Sequence, residues 1–319
     1  EAQDLLQRHG EEYRSEVVGE INRPSEKASL ESLAHPEQEA FSLAAVYLSD
    51  DEILAQIQKW IHEDRSAALV GPLLNMHSTW SEIHDAMRRL QHQTGEGLHL
   101  SGPTKNGVRV ALIKRFFSEG LDFVNVAKQY IDIEDFFAVL DRVIFTSASH
   151  GKLGGKSSGF FLAERILRKY QSRVPEMGSV TVPKTWFVNS DGLIDFLNHN
   201  DLEESYERRY QDIEKIRHDY PHLVQVFKNS TFPQEMIKGL SMALDDFGDV
   251  PIIVRSSSLL EDRLGSAFSG KYKSLFLANR GDKKQRLEAL LDAIAEVYAS
   301  TFGPDPLEYR KQRGLVNFD

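Results

Sequence analysis

The residues best suited to chemistry lie between positions 151 and 159, where four glycines and two lysines precede a helical pattern. Glycines let a backbone approach an anion closely, and a helix that starts there adds unpaired N–H groups and a favourable dipole. Lys156 adds a compact positive charge at the same point. The segment is not a P-loop, because His150 stands where that loop needs its first glycine. Taken alone, it leaves open a plain tight turn with an exposed lysine.

A second segment, Val254-Arg255-Ser256-Ser257-Ser258, ends the strongest predicted strand, the apolar run Val250–Val254, which we expect to be buried. An arginine at the end of a strand, followed by hydroxyl groups, can hold phosphate oxygens with a bidentate fork and short donors. The small-residue loop Gly265–Lys271 comes soon after, and its backbone N–H groups could cover a polyphosphate. The alternative for this loop is a polar hairpin beside an edge strand.

The elements that must position these segments change character near residue 145. Before it, apolar residues recur at helical spacing, and the pairs Ser49/Glu52 and Thr79/Glu82 have the spacing of capping boxes. The Trp and Phe residues of this part stand at spacing typical of a core. We therefore predict an α+β protein with a helical module over 1–145 and an α/β part over 146–319.

Helices alternate with short β-rich runs in the second part. The predicted helices are Ser158–Tyr170, Glu203–Asp219, Gln234–Phe247 and Asp282–Ser300. The predicted strand regions are Val180–Val182, Trp186–Val188, Val250–Val254 and Lys271–Leu277. His218 and His222 are four residues apart, as metal ligands on a helix are, but Pro221 is expected to disrupt that turn.

Composition excludes several classes of function. The chain of 319 residues has no cysteine, which rules out disulfides, thiolate zinc sites and thiol nucleophiles. A net charge of −10 argues against sequence-independent binding to nucleic acid, and no apolar run reaches the length of a membrane-spanning helix. We expect a cytoplasmic protein. Because the sequence begins without Met, we also expect it to be part of a longer chain.

Together the segments resemble a known family over about residues 150–315. Gly154-Gly155-Lys156, Val182-Pro183 and Trp186-Phe187-Val188 are similar to the opening of the ATP-grasp-like, PEP/pyruvate-binding domain of pyruvate phosphate dikinase and phosphoenolpyruvate synthase. Residues 254–270, from Val254-Arg255-Ser256-Ser257 through Glu261-Asp262 to Ala267-Phe268 and Gly270, resemble a second and longer motif of that family. Order and spacing agree.

The resemblance implies roles for particular residues. Lys156 and Arg255 would bind ATP phosphates and stabilise charge during transfer, and the loop Ser266–Gly270 would close over the β- and γ-phosphates. Asp262 would support the turn after Arg255. The residues implied in nucleotide binding are Gly154, Gly155, Ser256, Ser257, Ser266, Ala267, Phe268, Ser269 and Gly270.

Three departures from the family pattern stand out. Lys271 replaces a Gln, Ser258-Leu259-Leu260 replaces a smaller and more polar run, and Ser157-Ser158 replaces Gly-Ala. The adenine pocket and the acidic ligands of Mg²⁺ are expected outside this chain, in the second half of the ATP-grasp unit. The phosphohistidine and acceptor domains are expected outside it as well.

The resemblance implies a dikinase-type phosphotransferase that moves a phosphoryl group from ATP to a His on another domain and then to an acceptor. Pyruvate, a glucan or an antibiotic hydroxyl would each suit such a mechanism. The chain by itself is expected to bind ATP weakly and to be inactive. The alternative is a non-catalytic, nucleotide-responsive or partner-binding protein that keeps a degenerate ATP-grasp scaffold.

Overall fold

A computed structural model describes residues 41–93, 100–171, 174, 178, 181–258 and 270–315, without the side chains of 62–69 and 93. The chain divides into two compact units, Glu1–Ala67 and Ala68–Asp319. The boundary predicted near residue 145 stays a prediction. Within the described residues, no helix has the length and apolarity needed to cross a bilayer.

Helices dominate the described chain and strands are short. Residues 41–47 are helical. The helices that follow are α1 Asp50–Leu74, α2 Trp80–Gln93, α3 Gly102–Phe116, α4 Leu121–Ala127, α5 Ile133–Leu140, α6 Gly155–Gln171, α7 Asp191–His199, the 3₁₀ helix Glu203–Tyr210, α8 Ile213–Lys228, α9 Gln234–Phe247, α10 Lys283–Ser300 and α11 Pro304–Gln312. The strands are β1 Val143–Ile144, β2 Phe187–Val188, β3 Ile252–Arg255 and β4 Ser274–Leu277. The predicted α+β class is confirmed.

The two capping boxes start helices as the sequence predicts. Ser49 N–H donates to Glu52 Oε2 at 2.8 Å, and Glu52 N–H donates back to Ser49 Oγ at 3.4 Å. Thr79 and Glu82 repeat the exchange at 2.8 and 3.2 Å. Each pair satisfies N–H groups that a helix start would otherwise leave unpaired, so α1 and α2 begin at the residues directly after Ser49 and Thr79.

One hydrophobic core of the unit Ala68–Asp319 gathers α2, α3, α5 and the start of α6. Trp80, Phe116 and Phe136 are fully buried there, with ring centroids 4.5 Å apart for Trp80–Phe116 and 5.1 Å for Phe116–Phe136. Core spacing is therefore confirmed for these rings. For Trp60 it is wrong, since that side chain is 42% exposed. Helical spacing places residues on one face of a helix but does not determine how deeply that face is buried.

A second core is formed by the four helices α7, α8, α9 and α10, and one face of the strand pair β3–β4 packs against it. Phe196, Phe227 and Leu244 lie at its centre, and Ile252 and Val254 pack against it from β3. β3 and β4 are antiparallel, with Ile253 opposite Phe276 and Arg255 opposite Ser274. β1 and β2 pair in parallel at the boundary of the two cores.

The strand predictions hold in part. Phe187–Val188 and Ser274–Leu277 are strands inside the predicted runs, and Ile252–Arg255 overlaps the predicted run Val250–Val254 but ends one residue later. Thr181 and Val182 are not in a strand, and Val180 lies outside the described residues. Pro183 has no N–H group to donate to a neighbouring strand, which disfavours strand pairing of the residues beside it.

The expected break at Pro221 is wrong, because α8 runs through it from Ile213 to Lys228. Ile216, Leu223 and Phe227 are buried on both sides of the proline, and that packing holds the helix despite one missing hydrogen bond. The charged run before it is a 3₁₀ helix, Glu203–Tyr210, rather than one continuous α-helix.

Candidate functional site

The turn at residues 150–154 is held by the start of α7. The backbone N–H groups of His150 and Gly151 donate to Asp191 Oδ2 at 2.7 and 2.8 Å, and Lys152 N–H donates to Ser190 Oγ at 3.0 Å. A Cβ atom on Gly151 would lie 2.6 Å from Asp191 N and Ser190 Oγ. Glycine at 151 is therefore required by close approach of the two segments.

The opposite side of the turn is tied to the first core. Leu153, which is 1% exposed, donates its N–H to Phe116 O at 2.7 Å at the end of α3. The Trp80 indole N–H donates to Gly151 O. With hydrogen bonds on both sides, the turn has a fixed conformation before any ligand arrives.

Helix α6 begins immediately after this turn, at Gly155. Lys156 is half-buried in its first turn, where helix dipole and N–H groups favour an anion. The Ser158 hydroxyl donates to Gly154 O at 2.9 Å and secures the start of the helix. The predicted arrangement, a glycine turn opening a helix with Lys156 at its N-terminus, is confirmed.

The glycine turn and the Arg-Ser-Ser turn meet in direct backbone contact. A Cβ atom on Gly154 would lie 1.0 Å from the carbonyl oxygen of Ser257, so no other residue fits there. Ser257 Oγ accepts from the Ser157 N–H at 2.9 Å and lies 2.8 Å from Ser157 Oγ. Lys156 and Arg255 each stand two residues from this contact, and two residues span at most about 7 Å of chain. Segments 100 residues apart in sequence are thus neighbours in space.

Arg255 is the last residue of β3 and lies on the exposed face of that strand. Burial alternates along the strand, so Ile253 and Arg255 are exposed while Ile252 and Val254 face the second core. The expectation of a buried strand is wrong, because the described residues cover the pair β3–β4 on one face only. Phe276, opposite Ile253, is 82% exposed and adds an aromatic ring to the face that carries Arg255. In the part of the chain that the structure describes, no carboxylate pairs with Arg255.

The remaining predicted site residues divide into two groups. Ser256 and Ser257 are half-buried in the turn after β3, and Gly270 is exposed before β4. Ser266, Ala267, Phe268 and Ser269 lie outside the described residues, as do Leu259, Leu260 and Asp262. Lys271, one of the departures from the family pattern, has its ammonium 5.5 Å from the centre of the Tyr309 ring.

Two carboxylates, one from α7 and one from α9, accept hydrogen bonds from residues just before the turn at 150–154. Thr146 Oγ1 donates to Asp195 Oδ2 at 2.6 Å, and Ser147 N–H donates to Glu235 Oε2 at 2.9 Å. Burial raises the pKa of Asp195 above its usual range, with Asp191 and Glu235 adding to the rise and the Thr146 hydrogen bond opposing it. Among the residues that the structure describes, no three His, Asp or Glu side chains gather into a metal site.

Buried Arg115 stabilises the same region from α3. Its guanidinium donates to Ser78 O at 2.7 Å and lies 3.3 Å from His150 Nδ1. Burial lowers the pKa of Arg115, while the nearby charge of Asp191 raises it. His150 is thereby fixed in the loop.

Sequence reasoning missed Asp191 and underestimated Ser157. Asp191 forms the support of the turn, and the signal for it was the Ser190-Asp191 pair at the start of a predictable helix. Ser157 counted only as a departure from the family pattern, yet it makes the hydrogen bonds that join the two turns. Neither contact can be read from spacing, because both depend on segments at least 40 residues apart.

Comparison with known proteins gives one family. The family model described as pyruvate phosphate dikinase, AMP/ATP-binding domain, matches residues 150–319. No curated protein and no solved structure matches the chain. The matched region contains both turns. It begins at His150, whose backbone N–H donates to Asp191. Since it covers more than half of the sequence, the chain belongs to the pyruvate phosphate dikinase AMP/ATP-binding domain family.

Proposed function

We propose that this chain binds Mg·ATP across the joined turns, with Lys156 and Arg255 on the phosphates. The contact between Gly154 and Ser257 carries the proposal, because it brings the two cation-bearing turns to one place. Family membership supports a nucleotide as the ligand.

The first turn of α6 suits the phosphate end of the nucleotide. Its N–H groups and dipole favour anions, and Lys156 adds a charge that needs no proton transfer to act. Arg255 can form two parallel hydrogen bonds to phosphate oxygens, as a guanidinium does best. The serines of the second turn and the loop 266–270 would contribute further donors.

Exposed apolar groups on β3–β4 suit a different part of the ligand. Ile253 and Phe276 lie on the face that carries Arg255. An aromatic ring there can pack against one face of a flat base while the guanidinium reaches the phosphates, with the rest of the adenine pocket expected outside the present chain. Mg²⁺, when bound, would supply positive charge that neutralises the phosphates; its ligands are expected outside the present chain.

We propose that a protein containing this chain together with further domains is a dikinase-type phosphotransferase, acting in the cytoplasm, that passes the phosphoryl group to a His on another domain and then to an acceptor. Phosphoryl transfer depends mainly on positioning and charge stabilisation, which are the roles given to Lys156 and Arg255. Loss of one preorganised donor in such sites lowers the rate by about 10²–10³.

The test measures ATP-dependent turnover of the full-length protein against a panel of acceptors. Lys156→Ala is expected to reduce turnover by about 10²–10³ while leaving the thermal unfolding temperature of the ligand-free protein unchanged. Lys284→Ala, on the exposed side of α10, is the matched control and should keep full activity. Near-normal turnover of Lys156→Ala would remove Lys156 from the mechanism.

A further inference from the structure

We propose a second small-molecule site in this chain, a cleft for a small organic anion with an apolar or aromatic body. The cleft lies between α5, α6 and residues 182–187, and its volume is about 430 Å³. Ligand pockets of proteins fall in the range of about 300–1,000 Å³, so the cleft suits a small molecule rather than a protein segment.

The cleft is separate from the proposed nucleotide site. None of the residues assigned to ATP lines it. Helix α6 contributes to both, with Lys156 in its first turn and Phe161, Arg165 and Arg168 along its later turns. At a rise of about 1.5 Å per residue, Arg165 is about 13 Å further along the helix than Lys156.

Charge in the cleft favours one negative group. Four cations line it, and three of them have carboxylate partners: Arg165 with Asp135 at 2.9 Å, Arg168 with Glu164 at 2.7 Å and Lys184 with Asp246 at 3.0 Å. Arg142 is the fourth; among the described residues none accepts a hydrogen bond from its guanidinium, and the carboxylate on which its charge acts, Asp246, is the one already paired with Lys184. The site therefore retains about one uncompensated positive charge, in a protein whose net charge is −10.

A second donor in the cleft also lacks a partner. Arg165 Nε is buried and has no hydrogen-bond acceptor among the described residues, although its NH1 group pairs with Asp135. Guanidinium groups bind carboxylate and phosphate oxygens with two parallel hydrogen bonds. Arg142 and Arg165 together therefore offer the donors that one such group requires.

The rest of the wall is apolar. Phe161 is 5% exposed and lies beneath Arg165, whose guanidinium carbon is 4.9 Å from the ring centre. Phe160 is 38% exposed at the rim, and Val139 and Phe187 complete the surface. A ligand that consists only of a charged group would leave this apolar wall exposed to water, so the rest of the ligand should be apolar or aromatic.

The experiment titrates the chain with benzoate and with phenyl phosphate, followed by saturation-transfer NMR. Inorganic phosphate lacks the apolar body and benzyl alcohol lacks the charge, so both should bind at least tenfold more weakly. Arg142→Gln should weaken both aromatic anions by about tenfold to a hundredfold, the value of hydrogen bonds to a charged group. Phe160→Ala should weaken them more than it weakens inorganic phosphate.

Two control variants separate this site from other effects. Lys284→Gln makes the same charge change on an exposed face and should leave binding unchanged. Lys156→Ala should also leave anion binding in the cleft unchanged, so the proposal for the cleft is tested independently of the nucleotide site. Equal binding of benzyl alcohol, unchanged binding by Arg142→Gln, or no binding of either aromatic anion to the wild-type chain would each overturn the proposal.

Discussion

Gly154→Ala is the substitution that the structure predicts to be most damaging. The added Cβ would stand 1.0 Å from Ser257 O and 2.2 Å from Ser257 C, and both atoms belong to the backbone. Because ordinary contact begins at 3.4 Å, the two turns would have to separate by roughly 2 Å, a movement that packed segments resist. Overpacking of this kind costs about 1–3 kcal/mol or more.

The separation has a second consequence. It breaks the hydrogen bonds from Ser157 to Ser257 and moves Arg255 away from the start of α6. We therefore expect Gly154→Ala to lower the free energy of unfolding by about 2–3 kcal/mol. The increase in thermal unfolding temperature that Mg·ATP gives the wild type should disappear.

Gly159→Ala is the matched control in the same helix. Gly159 is exposed and a Cβ there meets nothing within 4 Å, so the change should stabilise the chain by about 0.5–1 kcal/mol through helix propensity. Urea unfolding followed by circular dichroism measures both variants, and thermal shift with Mg·ATP measures binding. If Gly154→Ala were as stable as Gly159→Ala and still responded to ATP, the contact between the turns would be refuted.

Two further predictions concern the surroundings of the turns. Ser257→Ala removes the oxygen that serves Ser157 and should cost about 1 kcal/mol in urea unfolding; an unchanged midpoint would contradict the hydrogen bond. Asp195→Asn tests the raised pKa of the Asp195 carboxyl, because the folded state holds this proton more tightly than the unfolded state, whose pKa is near 3.8. The stabilisation linked to that proton is present below the pKa of the unfolded state and is lost as pH rises through the pKa of the folded state. The free energy of unfolding of Asp195→Asn relative to wild type should therefore increase from pH 4 to pH 7, and a difference independent of pH would argue against it.

Local signals in the sequence were reliable for helices. The capping boxes at Ser49 and Thr79 and the helix after the glycine turn are all local patterns, and the structure has each of them, although α6 begins at Gly155 rather than at the predicted Ser158. Gln234–Phe247 begins and ends as predicted, since its apolar residues keep helical spacing throughout.

Predictions that depended on tertiary context did less well. Pro221 remains inside α8 because Leu223 and Phe227 are anchored in a core that the local sequence does not reveal. The burial of β3 was overestimated for the same reason: an apolar run does not say whether one face or two will be covered.

The candidate site shows both situations. Spacing indicated Lys156 and Arg255, but only the fold shows that Gly154 lies against Ser257 and that Asp191 holds the turn. These contacts join segments 40 to 100 residues apart, so no window of sequence contains them.

Calorimetric titration of Mg·ATP into the wild type, Lys156→Ala and Arg255→Ala tests the shared site most directly. We expect one molecule of ATP per chain and a loss of affinity of about tenfold to a hundredfold in both variants, since each removes a charged donor from the same ligand. If one variant bound ATP like the wild type while the other lost affinity, the two cations would not serve a common nucleotide.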